Sequence, residues 1–388
     1  MTLVLRFFFL LVVSTSFSQT LPLSDDATVS VITIGPGENL NDAFGHNAIH
    51  IKSRFLDITY DFGRYNFEDP NFYLNFAQGK LKYLQGKSNY NQFISFYITE
   101  NRTIKEQILN LTTTQKQDLY NYLEANYKQD EGAYLYDFFY DNCATRIRDV
   151  TETTLNGNLK YNLPNNYKKQ TFRELIDSHV HWNTWGSFGI DLALGSIIDR
   201  QASAREQLFL PEKIHLFFEH ATLKNSGEKL VTKSKTIYTN KEKSENTLFL
   251  FSPLVVLTII AVIIVFITFK DYKSQLRTKW LDVVVFITTG IIGVLVFLLW
   301  FATDHTSTAY NYNLLWAFPL SLLCVLQLVK TTPKKWCIGY IKFLMLMLCL
   351  MTLHWTIGVQ RFAPALIPVL IALAIRYVFL LKHFKTTA

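Results

Sequence analysis

From about position 248 onward the chain carries five apolar stretches, roughly 248–269, 281–302, 314–330, 338–357 and 362–381, separated by short polar segments. Each approaches the ~20 residues an α-helix needs to cross hydrocarbon, and no amphipathic period runs through them. They read as five membrane-spanning helices, the third being the shortest and least sharply bounded. Before position 248 the pattern changes. Thr28 to Ile34 is β-branched and apolar, Ala48 to Ile51 alternates after a glycine, and Asp57 to Gly63 alternates before a turn, which predicts three strands. Helices are expected over about 71–78 and 114–126, from near Thr171, and from near Pro211. The stretch 224–247 is polar and mixed in charge, suiting a tether or small hairpin. At the start, Arg6 precedes the apolar run Phe7 to Val13 and a small-residue stretch ending at Ser18. That order predicts a signal peptide over 1–18, an exported domain over 19–223, the tether, and a membrane domain over 248–388.

The loops between the apolar stretches orient the bundle. Lys270, Lys273, Arg277 and Lys279 follow the first, Lys330, Lys334 and Lys335 the third, and Lys382 and Lys385 the fifth. The second loop has no Lys or Arg and the fourth only Arg361. By the positive-inside rule the basic loops and the C-terminus face the cytoplasm and everything before 248 lies outside. The net charge of +7 is concentrated in those loops and implies no nucleic-acid partner.

Cys324, Cys337 and Cys349 belong to the membrane domain, so Cys143 is the one thiol of the exported domain. An unpaired cysteine in an oxidising compartment is buried, dimerising or reactive. Asp141-Asn142-Cys143-Ala144-Thr145 reads as a helix start with N-cap residues ahead of Cys143. The first-turn dipole favours thiolate, and backbone N–H groups at Asn142 and Cys143 could hold an oxyanion. A base is offered by Phe44-Gly45-His46-Asn47-Ala48-Ile49-His50, where His46 and His50 share one strand face. Either could reach the thiol, with His46 preferred. Asp57, Tyr60 and Asp61 all suit the orienting third member, and Asp61 is favoured. Asp304, His305, His354 and Arg361 fall at the outer ends of spans, where interfacial solvation or substrate binding would suit them. Asp304, His305 and Arg361, with His50, are the candidates for substrate contact. His179 and His181 lack a third ligand at metal spacing and read as surface histidines, so no metal or cofactor is expected.

A histidine on an early strand, a polar group on the next and a later Asn-Cys opening a helix resembles the circularly permuted papain-like fold of lecithin:retinol acyltransferase relatives. Gly45-His46-Asn47-Ala48, Tyr60-Asp61-Phe62-Gly63, Asn71-Phe72-Tyr73, Asp141-Asn142-Cys143-Ala144-Thr145-Arg146 and Phe209-Leu210-Pro211-Glu212 are similar to the exported domain of the Lnb family. The likeness continues through Thr303-Asp304-His305 and Asn311-Tyr312-Asn313 into the bundle. Lnb proteins are the lipoprotein N-acyltransferases of Bacteroides and its relatives. The resemblance implies an α+β exported domain of permuted papain-like fold followed by an all-α bundle of five transmembrane helices. It also implies an inner-membrane enzyme with a periplasmic catalytic domain. Cys143 would take an acyl chain from a membrane phospholipid as a thioester and pass it to the N-terminal amine of a lipoprotein. Two other classes fit the residues: a papain-like peptidase or amidase on cell-wall peptides, with a polar groove, and a non-enzymatic sensor or assembly factor with a buried structural thiol.

The loop charges generate a direct test. A topology reporter fused near Asn240 is expected to be active only outside the cytoplasm, and one after Ala388 only inside; activity of both in one compartment would overturn the five-span reading.

Overall fold

The computed structural model describes residues 21–128, 133–241 and 249–386, so the stretch read as a signal peptide lies outside the described residues. Three strands open the fold as a meander: β1 (Thr28–Ile34), β2 (His46–Ser53) and β3 (Leu56–Arg64). The chain then forms α1 (Phe72–Gln78), β4 (Lys82–Asn89), α2 (Tyr90–Thr99), β5 (Ile104–Leu109), α3 (Thr113–Lys128), β6 (Tyr134–Leu135) and α4 (Cys143–Thr154). It continues through β7 (Leu159–Lys160), α5 (Phe172–Asp177), α6 (Trp185–Ala193), α7 (Pro211–His220), β8 (Thr222–Leu223) and β9 (Val231–Tyr238). Seven strands make one antiparallel sheet in the order β6-β4-β3-β2-β1-β5-β9, and β7 pairs with β8.

β1 lies inside the sheet and is covered on both faces, which explains why Ser30 and Thr33 are buried along with its Val and Ile residues. Val29 and Val31 join Ile49, Ile51, Tyr60 and Phe62 in a core with Leu119, Leu123, Ile147 and Phe217 of the helices on one face. Ile32 and Ile34 point the other way, against Phe93, Ile94 and Tyr97 of α2.

The stretch read as a tether or small hairpin opens with a tight turn that brings Lys229 opposite Thr222 and then runs into β9, hydrogen-bonded along β5. β9 closes the sheet with Lys233 and Lys235 exposed. Charged side chains on an edge strand discourage pairing with other chains, and they also remove the apolar alternation by which a strand is read.

The membrane domain consists of α8 (Pro253–Ser274), α9 (Lys279–Phe301), α10 (Ser321–Leu328), α11 (Lys335–Thr356) and α12 (Ile367–Thr386). Among the described residues, four helices are long and apolar enough to cross a membrane: Pro253–Ser274, Lys279–Phe301, Lys335–Thr356 and Pro364–Lys385. The third apolar stretch is broken into a 3₁₀ turn at Tyr312–Leu315 and the eight-residue α10. Pro319 stands between them and lacks the N–H a continuous helix needs. Two glycines of α9 draw this broken segment in. A Cβ on Gly293 would lie 2.4 Å from the Ala317 carbonyl oxygen, and one on Gly290 would lie 2.7 Å from Leu322 Cγ. The segment still runs from one end of the bundle to the other, because Asn313 bonds the sheet domain while the Leu328 carbonyl accepts from Arg277. α10 and α11 are joined by a Cys324–Cys337 disulfide. The basic loops gather at the end away from the sheet domain, where Arg277 reaches the Lys330 carbonyl and lies over the ring of Phe384 near the C-terminus.

The sheet domain is fastened to the other end. α6 ends with carbonyls that no further helical turn can satisfy. Asn311 Nδ2 donates to those of Leu192 (2.9 Å) and Ala193 (3.0 Å), and Asn313 Nδ2 to that of Asp191 (2.9 Å). Gly195 and Ser196 donate backbone N–H groups to Ser307 and Tyr310. Contact is so close that a Cβ on Gly195 would fall 1.8 Å from the Ala309 carbonyl oxygen. Behind this junction, Arg173 of α5 is 1% exposed and holds Asp191 at 2.7 Å and Asp199 at 2.8 Å. Its guanidinium also donates to the Leu194 and Gly195 carbonyls.

Arg173→Met should lower stability by about 3–5 kcal/mol, because it leaves two buried carboxylates without their cation. Arg173→Lys should recover only part of this, since one ammonium cannot serve both acids with a fork. An unchanged melting temperature of the purified full chain carrying Arg173→Met would show that the pair network does not hold the junction.

Candidate active site

The loop into β2 must turn sharply. Gly45 has φ +83°, and a Cβ there would sit 2.6 Å from the Ile34 carbonyl oxygen, so glycine is required. His46 follows as the first residue of β2, with its side chain 18% exposed. Its Nε2 donates to Asp61 Oδ2 at 3.1 Å, and its ring also makes a hydrogen bond with the Cys143 thiol. With Nε2 engaged by the carboxylate, Nδ1 is the ring nitrogen left for the thiol. The three favoured residues therefore meet: Cys143 opens α4, His46 opens β2, and Asp61 lies on neighbouring β3 opposite Ala48.

Asp61 has a second partner that the sequence reading passed over. Arg64 donates from Nε to Asp61 Oδ1 at 2.9 Å and from Nη2 to Ser88 Oγ at 2.7 Å. A register shift between Phe62 and Arg64, at Gly63 with φ +97°, disrupts the β3–β4 ladder beside this pair. Gly86 on β4 makes the room, for its Cβ would fall 1.9 Å from Arg64 Nε and 2.2 Å from Asp61 Oδ1. The visible signal was the cation two residues beyond Phe62, but only the bulge brings it back to Asp61.

Asn142 is the N-cap of α4, and its role differs from the oxyanion donor expected. Its Oδ1 accepts from the Ala144 and Thr145 N–H groups, both at 2.9 Å. Its Nδ2 donates to the Phe138 and Phe209 carbonyls, and its own N–H to Thr145 Oγ1. Every donor of Asn142 is occupied. The N–H of Cys143 is left as the first-turn donor unengaged among the described residues. The sulfur itself accepts from the Asn47 backbone N–H.

Electrostatics couple the pair. Burial pushes the Cys143 thiol up, but the attraction and hydrogen bond of His46, with the Asn47 N–H, bring it below its ordinary value. Burial works against protonated His46, yet Tyr97, Cys143 and Asp61 raise it well above its ordinary value. Burial likewise disfavours ionised Asp61, and His46 and Arg64 outweigh it to hold the carboxyl below the usual range. The arrangement favours a thiolate–imidazolium pair with the imidazolium oriented by a carboxylate.

His50 takes no part. It is buried four residues along β2, with Nδ1 2.7 Å from Glu106 and Nε2 2.7 Å from Asp57, and its ring stacks on Tyr90 at 4.0 Å. Four strand residues span about 13 Å, beyond reach of the thiol. Burial raises Glu106, but His50, Lys235 and Ser30 together lower it to about 2.

Cys143, His46 and Asp61 lie on the wall of a cavity of 880 Å³. The rest of the wall is largely aromatic, including Phe44, Tyr65, Phe72, Phe93, Tyr97 and Phe138. None of the expected substrate contacts lines it: His50 sits in its carboxylate pocket, and the other three hold the domain junction. The backbone N–H of Asp304 donates to Gln78, His305 Nε2 bonds the Phe76 carbonyl at 3.1 Å, and Arg361 pairs with Asp177 at 3.3 Å. His354 packs edge-on against Tyr312. His179 bonds the Leu175 carbonyl, His181 accepts from the Asn183 N–H, and no group of three metal-binding side chains occurs among the described residues. A neighbouring connection to the bundle also escaped the sequence reading. Thr306 donates to Asp137 Oδ2 at 2.6 Å, and the other Asp137 oxygen accepts from Phe139 and Tyr140 just before Cys143.

Fold and site together define a membrane protein whose extramembrane α+β domain carries a Cys-His-Asp constellation at an aromatic cavity. Residues 18–178 match the model of the Lnb N-terminal periplasmic domain, and residues 243–387 that of the Lnb transmembrane domain. The chain belongs to the Lnb family, with its N-terminal domain periplasmic. No curated protein and no solved structure matched it.

The coupling fixes how the thiol should respond to pH. Alkylation of Cys143 by iodoacetamide is expected to inflect below the ordinary thiol value of about 8.5. His46→Ala should move the inflection above that value, because burial then acts with less opposition. His50→Ala should leave the inflection in place and lower the melting temperature. An inflection that follows His50 instead would reassign the partner of the thiol.

Proposed function

We propose that this chain is a lipoprotein N-acyltransferase that moves an acyl chain from a membrane phospholipid to the N-terminal amine of a lipoprotein by way of a Cys143 thioester. The observation that carries the reading is a thiolate-favouring Cys143 in the wall of an aromatic cavity, within a domain fastened to a membrane bundle. Family membership supports lipoprotein maturation. A cell-wall peptidase calls for a polar groove, which these walls do not offer, and a purely structural thiol gives no reason for the His46–Asp61 pair beside it.

The chemistry follows from the geometry. Cys143 thiolate attacks the ester carbonyl carbon, and the resulting oxyanion is met by the Cys143 N–H. Collapse breaks the ester C–O bond, and imidazolium His46 gives its proton to the departing lysophospholipid oxygen. In the second half, the neutral α-amine attacks the thioester, His46 accepts its proton, and expulsion of thiolate leaves an amide. Asp61, held by Arg64, keeps Nε2 protonated so that Nδ1 is the nitrogen that exchanges protons with substrate. The basic end of the bundle, which includes the C-terminus, is placed in the cytoplasm under this reading, with the broken third segment serving as the fifth crossing. The order of His46, Asp61 and Cys143 along the chain supports the permuted papain-like description.

A thioester route divides into two steps. Incubated with phospholipid alone, the full chain should acquire an acyl chain on Cys143, visible as an intact-mass increment, and a lipoprotein acceptor should discharge it. Cys143→Ser should be nearly inactive, its hydroxyl being far less ionised than a thiol. Wild-type N-acylation by Cys143→Ala, in cells without another such enzyme, would overturn the proposal.

A further inference from the structure

Several wall residues of the cavity are also strongly exposed: Tyr73 is 80%, Phe67 65%, Phe96 59% and Phe76 55% exposed. These rings therefore form its mouth. Tyr73 and Phe76 belong to α1, whose sequence Phe-Tyr-Leu-Asn-Phe-Ala-Gln has no charge and which also exposes Leu74. An uncharged helix presenting large apolar side chains to water needs a covering.

The height of α1 is fixed by the bundle. α9 ends at Phe301, and three residues later the Asp304 N–H donates to the Gln78 carbonyl at 2.8 Å. His305 Nε2 bonds the carbonyl of Phe76 itself. Gly79, with φ +73°, permits this approach, for a Cβ there would lie 3.0 Å from the His305 nitrogen. α1 thus lies beside the end of a membrane-length helix, where hydrocarbon gives way to headgroups. At the start of α8, exposed Trp185 donates Nε1 to the Phe251 carbonyl among exposed Phe249 and Leu250, which is the aromatic signature of an interface. Lys80 and Lys82 follow α1 and suit lipid phosphates.

We propose that α1 is immersed in the outer leaflet and that its exposed face, with Phe67 and Phe96, forms a lateral mouth through which an acyl chain passes directly from the bilayer into the cavity. The occupant is a bilayer lipid. This mouth rests on the acyl-transfer reading for its purpose, whereas the immersion of α1 is tested independently of it.

Depth is measured on the full chain in nanodiscs of phosphatidylethanolamine and phosphatidylglycerol, with a nitroxide at Leu74→Cys in a Cys143→Ala, Cys349→Ser background. The label should be relaxed more by oxygen than by a water-soluble nickel chelate. A label at Arg54→Cys, on the hairpin at the opposite end of β2 from His46, should show the reverse. Equal nickel access at both positions would overturn immersion, as would shielding of position 74 from both reagents, the result expected of a second copy covering this face. A rate comparison then tests passage. Leu74→Asp with Ala77→Asp should slow acylation of Cys143 from bilayer phospholipid about tenfold or more while changing reaction with a water-soluble short-chain thioester by less than about twofold. Equal slowing on both substrates would show that α1 shapes the site and is no mouth, overturning the proposal. Absence of acylation by the wild type on either substrate would defeat the acyl-transfer reading and the passage with it, while the nitroxide depth would still decide immersion.

Discussion

The structure depends on how one helix ends. α6 stops with open carbonyls, and the side-chain amides of Asn311 and Asn313 complete them from the bundle. Backbone carbonyls buried without donors are costly, so neither domain can leave the other without exposing or stranding these groups. Arg173 braces the same helix from behind through Asp191 and Asp199. The link from Thr306 to Asp137 then carries the constraint to the turn that precedes Cys143. Orientation of the thiol over the membrane is thus set by hydrogen bonds, not by apolar contact alone, and hydrogen bonds have direction.

At the site, the helix N-terminus is less generous than its sequence suggests. The capping box that starts α4 engages the Ala144 and Thr145 donors, so the ionisation of Cys143 depends on His46 and on a backbone N–H from β2. Stability of the helix and activation of the thiol draw on the same few N–H groups. Of His46 and the β2 N–H, His46 is the larger influence, so the placement of its ring by Asp61 and Arg64 bears directly on the ionisation of the sulfur.

Much of this was legible from residue order. β1 announced itself through a run that is β-branched at every position but Ser30, and the Asn-Cys helix start was marked by its capping residues. His46 and Asp61 were identifiable because adjacent strands of a meander bring their ends together. What stayed hidden was whatever depends on contact with something distant in sequence. β9 is stabilised by pairing with β5, so its exposed lysines carry no periodic signal. The burial of His50 follows from Glu106, 56 residues away, and the breaking of the third apolar stretch is accommodated by two glycines on α9. Arg64 required the bulge at Gly63 to be seen before its relation to Asp61 made sense.

The aromatic walls bear on selectivity. Phenylalanine and tyrosine rings have two torsions each and, packed together as Tyr65, Phe67 and Phe72 are, with Tyr65 edge to face on Phe67, they resist reshaping. Flexible thioethers would yield to any guest, whereas these walls set a fixed gauge. A lipid tail entering such a space must give up its own disorder to match it. Under the acyl-transfer reading, sorting by tail length and unsaturation then falls to the contour of the rings, and the acyl groups received by lipoproteins would report the shape of this cavity as much as the makeup of the membrane.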